Sequence, residues 1–91
     1  MKILERDLKE KVKIFEGQDV VVKFDDLLQA KFEFSAVHIN YNRRTGFLHI
    51  EDATNDNDIN INIVSAYHIE LEKHNLQIFL DNDIELQIIK K

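Results

Sequence analysis

The hydrophobic period of this chain changes once, at Gly17, from helical to two. Ahead of that glycine Leu4, Leu8, Val12 and Phe15 recur on one helix face, with Ile3 and Ile14 on its flank. Glu5, Arg6, Lys9, Glu10 and Lys13 cover the opposite side. Glycine takes the left-handed conformation that ends a helix without a side-chain penalty, so Gly17 is placed as a stop. The pattern predicts an amphipathic helix over about residues 2–16 and antiparallel β structure over about 19–89.

Within the β region, Val20-Val21-Val22 opens a strand that runs to Phe24, and Asp25-Asp26 forms a turn. A long strand is expected over about Ala30–Asn42. It holds Phe32 and Phe34 on even positions but Val37, Ile39 and Tyr41 on odd ones. One core face cannot accommodate that switch, so a bulge or sharp bend is required near Ser35-Ala36. Asn42-Arg43-Arg44-Thr45-Gly46 reads as a hairpin loop, with an Asx-type start and Gly46 in the left-handed position. The register that follows sets Tyr41 against Leu48 and Ile39 against Ile50. A strand over about Phe47–Glu51 leads into a polar loop through Asp58. Ile59, Ile61 and Ile63 then alternate with Asn60 and Asn62, and the odd phase continues through Tyr67, Ile69 and Leu71 as one bent strand or two broken at Ser65-Ala66.

Two further hairpins have registers that agree with each other. A turn at Glu72–Asn75 pairs Leu71 with Leu76, Ile69 with Ile78 and Tyr67 with Leu80. A turn at Asp81-Asn82-Asp83 pairs Leu80 with Ile84, Ile78 with Leu86 and Leu76 with Ile88. The expected fold is mainly β (α+β): the helix, then a five- to seven-stranded antiparallel meander forming a curled sheet or small barrel. In outline that order is similar to small SH3-like or Sm-like barrels, although no motif of either family is present to match.

At 91 residues the chain has room for a single domain, 1–91. A domain this small can hardly give up core to a deep active-site cavity, which argues against an enzyme. There is no cysteine, so disulfides and thiolate metal sites are excluded, and a reducing, cytoplasmic setting is expected. Met1–Asp7 mixes acids and bases between apolar residues, unlike a signal peptide. The net charge is −5, with five bases against four acids in residues 1–16 and seven against thirteen in the remainder. An acidic sheet repels phosphate backbones. Abundant Ile, Asn and Lys, with no proline or tryptophan, fits an AT-rich bacterial or phage genome.

Four groups of residues are candidate sites. His38 falls opposite Glu51 with His49 beside them, a set that could hold a divalent metal or move protons, or simply be solvated. Asp52, Asp56, Asp58 and Asn60 resemble a calcium loop, but the central glycine is missing and Ile63 stands where a bidentate glutamate is needed. An Asx-rich connection accounts for them. Arg43 and Arg44 lie at a hairpin tip beside Tyr41 and Phe47, where arginines can bind phosphate or stack on bases. Phe79 alternates away from the core set, as do Val64, Ile89 and Phe47, and would mark a partner surface if they cluster.

The sequence therefore points to a non-catalytic interaction or regulatory module without metal or cofactor, binding another protein or itself, with an acidic inhibitor as one form. The alternative is a nucleic-acid-binding barrel using Arg43, Arg44 and the basic helix face. The partner surface is expected at Val20, Val21 and Val22, as an open edge strand, or at Phe79.

Overall fold

The computed structural model describes residues 1–25, 29–81 and 83–91. The turns expected at Asp25-Asp26 and Asp81-Asn82-Asp83 lie partly outside these residues.

The N-terminal stripe forms a shorter and tighter helical segment than its periodicity predicts. A 3-10 turn at Glu5–Asp7 leads into one α-helical turn, α1 (Leu8–Lys11), and a second 3-10 turn at Val12–Phe15. Residues 1–3 are extended instead, bridging Lys2 to Glu70. The stripe shifts accordingly. Leu8, Val12 and Phe15 are fully buried, whereas Leu4 is exposed and Ile3 takes its place in the core. So few residues cannot sustain a helix by themselves, and packing against the strand Val37–Asn42 decides their conformation. Gly17 ends the segment at φ +74°, the conformation that calls for a glycine.

Among the described residues eight strands follow: β1 (Val20–Asp25), β2 (Ala30–Phe34), β3 (Val37–Asn42), β4 (Phe47–Asp52), β5 (Asn57–Asn62), β6 (His68–Leu71), β7 (Asn75–Leu80) and β8 (Ile84–Lys90). They form two antiparallel sheets, ordered β2-β1-β8-β7-β6 and β3-β4-β5, and among the described residues no barrel closes. The count exceeds the expected five to seven because each anticipated long strand divides. The 30–42 stretch splits at Ser35-Ala36, where Ala36 adopts φ +48° and the chain passes from one sheet to the other. The parity switch between Phe34 and Val37 therefore marks a corner between sheets, with both residues buried. The stretch from Ile59 to Leu71 divides between β5 and β6. Tyr67 precedes β6 and its N–H donates to Phe79 O at 3.0 Å, so it meets β7 outside the paired register and the expected Tyr67–Leu80 pair is not part of the ladder.

The hairpin registers are those the sequence predicts: Tyr41↔Leu48 and Ile39↔Ile50, Leu71↔Leu76 and Ile69↔Ile78, Leu80↔Ile84 and Ile78↔Leu86. The edge assignment needs correction. β1 lies between β2 and β8, with Val20 and Val22 fully buried, and β8 lies between β1 and β7. Neither the Val20-Val21-Val22 strand nor the last strand is open. The last strand returns from the far end of the chain to pair with β1, a nonlocal contact that no local pattern encodes.

One apolar core draws on both sheets and the helical segment, including Leu8, Phe15, Leu48, Ile50, Leu76, Ile78, Leu86 and Ile88. Among the described residues no helix is long and apolar enough to cross a membrane. Truncating Leu8 or Ile78 to alanine is expected to cost about 2–5 kcal/mol each, a large share of the roughly 5–10 kcal/mol available to a domain of this size. Chemical denaturation measures it. An unchanged midpoint for Leu8→Ala would mean that the helical segment does not support the core.

Candidate functional site

A strand at the edge of a sheet presents unpaired N–H and C=O groups, and native proteins usually cover them. Two sheets have four edges, here β2, β6, β3 and β5. The N-terminal segment covers two. At β6, Ile3 N donates to Ile69 O at 2.9 Å and Leu71 N to Met1 O at 2.8 Å. At β3, Gly17 N donates to Val37 O at 2.8 Å and Val37 N to Gln18 O at 3.0 Å. Further along β3, Ile39 N donates to a Glu16 carboxylate oxygen at 3.1 Å. The buried Tyr41 hydroxyl donates to Glu5 at 2.7 Å, and burial followed by that bond pushes its pKa up to about 12.

The β2 and β5 edges have no such cover among the described residues, and they flank one groove. It has a volume of about 530 Å³ and is lined by Phe32, Glu33, Phe34, Asn57, Asp58 and Ile59. Alternation puts Phe32 on the core face of β2. It is nevertheless 44% exposed, its ring packed edge-on against Phe24 at 6.2 Å between centroids. Lys31 and Glu33 flank it on the other face of the strand. Glu33 meets the Lys91 ammonium at 2.9 Å. That cation holds the Glu33 carboxyl below its ordinary pKa.

Asp52 fixes the corner at which β2 ends. It is 1% exposed, the one buried charged residue among those described. One carboxylate oxygen accepts Ser35 N at 2.9 Å across the sheets and Asn55 Nδ2 at 3.2 Å. The other accepts Thr54 N at 2.8 Å and Asn55 N at 3.0 Å. These bonds, the Ser35 amide foremost, lower its pKa to about 2. The acidic stretch is thus an Asx-rich connection, with Asp52 committed to backbone amides.

The other residues singled out by sequence fall apart in space or find structural partners. His38 does sit opposite Glu51, but its ring turns to Glu16 at the end of the helical segment, while His49 pairs with Asp58 at 2.9 Å. No group of three metal-ligating side chains occurs among the described residues. Arg43 is held by Glu5 at 3.0 Å, so one of the two tip arginines is already neutralised. Arg44 belongs to the expected Asx turn, its N–H donating to Asn42 Oδ1 at 3.0 Å, and Gly46 takes φ +79°. Phe79 lies between His68 and Glu85 as expected, half-buried beside the rings of Tyr67 and His68. Nearby, the His68 ring is hydrogen-bonded to Glu70 at 2.7 Å and holds that carboxyl below its ordinary pKa.

Sequence reasoning missed Phe32, Lys31 and Glu33. The available signal was the alternation Lys31-Phe32-Glu33, opposite charges on either side of an aromatic in a strand. It carries meaning only once β2 is known to be an edge.

No family model matches this chain, and no curated protein or solved structure is detectably similar to it.

The stability that Asp52 contributes is complete above its ordinary pKa of 3.8 and is lost as the pH falls through about 2. Asp52→Asn is therefore expected to melt below wild type at pH 7, with the two melting temperatures converging as the pH is lowered from about 4 to about 2. A gap that stays constant over that range would contradict this role.

Proposed function

We propose that this domain is a non-catalytic interaction module that binds another protein, or itself, along the open β2 edge. The exposed ring of Phe32 on a strand with one open edge carries that reading. An extended segment added to β2 satisfies its outward backbone groups and covers the groove toward Ile59. Burying the open part of the Phe32 ring contributes about 1 kcal/mol, with backbone bonds supplying the orientation. The ionisable side chains support a non-catalytic role. His38, His49 and Asp52 each tie their strand to a helix end, a neighbouring strand or a turn, and His68 is committed to Glu70 on its own strand.

Nucleic-acid binding through Arg43, Arg44 and the basic helix face is disfavoured by the Glu5–Arg43 pair and by the net charge of −5. Two measurements separate these alternatives. Capture of a protein partner from an extract of the native host should be abolished by Phe32→Asp and unaffected by the combined Arg43→Ala and Arg44→Ala change. Fluorescence anisotropy with labelled single-stranded and duplex oligonucleotides at low salt should register no binding. Oligonucleotide binding that falls steeply with salt and disappears in the arginine variant would replace the protein-binding function with the nucleic-acid one.

A further inference from the structure

Residues Lys31-Phe32-Glu33 form a self-complementary unit when β2 is set antiparallel against a second β2. Centring the pair on Phe32 places Phe32 opposite Phe32, and each Lys31 opposite Glu33 of the second copy. Two opposite-charge cross-strand pairs result, on the same face of the joined sheet. Within one chain Lys31 has no ion pair among the described residues, and Glu33 meets Lys91 through Oε1, which leaves Oε2 to face Lys31 of the second copy.

The backbone has the parity this register requires. Lys91 N donates to Asp19 O at 3.0 Å, so the peptide groups of Asp19, and by alternation Val21 and Lys23, point towards β8. Those of Val20, Val22 and Phe24 then point towards β2, where they meet Phe34, Phe32 and Ala30. That leaves the peptide groups of Lys31 and Glu33 directed outward from the sheet. Ser35, of the same parity, shows the direction directly: its N–H reaches Asp52 in the other sheet. In the two-fold pairing Lys31 and Glu33 of the two copies are therefore hydrogen-bonded pairs, each exchanging both of its backbone bonds. Phe32 and its copy form the non-hydrogen-bonded pair, where Cα atoms approach to about 4.5 Å and side chains lie closest. The other open edge offers less. A two-fold pairing of β5 about Asn60 sets Asp58 opposite Asn62, with neither a charge pair nor an aromatic contact.

We infer that the occupant of the β2 edge is a second copy of this chain, paired antiparallel about Phe32 and joining two five-stranded sheets into one continuous sheet. This inference rests on the proposed use of the β2 edge and names its partner. The contact is isologous, each copy giving the same strand, so the assembly closes at a dimer.

Charge reversal provides the test. Lys31→Glu leaves two acids facing two acids across the pair, and Glu33→Lys leaves bases facing bases. Each variant, studied separately by light scattering from about 1 to about 200 µM, is expected to dimerise about tenfold or more weakly than wild type. Mixed in equal amounts, they regain a heterodimer, because one copy then presents acids at both positions and the other presents bases at both. The Lys31→Glu/Glu33→Lys double variant likewise regains self-association. Both positions are exposed, and recovery in the mixture shows that each variant is folded. A wild-type monomer across this range overturns self-pairing, while loss of foreign-partner capture in Phe32→Asp would still support the edge itself. Single variants that dimerise as wild type does, or a mixture that fails to recover, overturn the register.

Discussion

A buried or edge-lying amide that finds no partner costs free energy comparable to a lost hydrogen bond, and this fold is arranged around that demand. Eight strands in two open sheets leave four edges. The first eighteen residues serve two of them in different ways. Met1–Ile3 adds a short extended stretch to β6, and Glu16–Gln18 meets β3 with backbone groups and one carboxylate. Between these contacts the helical segment places Leu8, Val12 and Phe15 in the core. It is therefore both a core component and an edge seal, which explains why its ends unwind where the edges need partners. The same arrangement leaves β2 and β5 exposed on the side that the N-terminal segment does not reach.

The position of β2 depends on the corner before β3. Ala36 at φ +48° turns the chain out of one sheet and into the other, and Ala36 N donates to Asp19 at 3.0 Å. Asp52 then ties Ser35 to the β4–β5 connection. A carboxylate surrounded by four hydrogen-bond donors stays ionised although buried, and its charge strengthens each bond. Rigid placement matters because pairing an edge strand depends on register: a slip of one residue would turn Phe32 to the solvent side and Lys31 and Glu33 to the groove.

Local features of this architecture were legible in the sequence, and nonlocal ones were not. Hairpin registers came through because short loops tie each strand to its neighbour, and matching Tyr41 with Leu48 or Ile78 with Leu86 needs only alternation. The corner at Ser35-Ala36 was visible as a parity switch. Strand order was hidden: β1 pairs with β8 from the far end of the chain, so a valine-rich strand that looks like an edge is interior. Leu4 exchanged roles with Ile3 because an edge contact to β6 outweighs one helical turn. Alternation put Phe32 on the core face, yet it could not reveal that the opposing three-stranded sheet stops short of covering it. The histidine set failed for a similar reason. The register of His38 and Glu51 was correct, but the carboxylate that His38 reaches, Glu16, lies outside the sheet.

Amide hydrogen exchange, resolved by residue and repeated at low and high protein concentration, tests the sealed and open edges together. The amides of Leu71 and Ile39, which donate to the N-terminal segment, should be protected at every concentration. Those of Lys31 and Glu33 should exchange rapidly in dilute protein and become protected as the concentration rises. Rapid exchange at Leu71 and Ile39, or protection of Lys31 and Glu33 at the lowest concentration, would contradict the division into two covered edges and one that pairs between molecules.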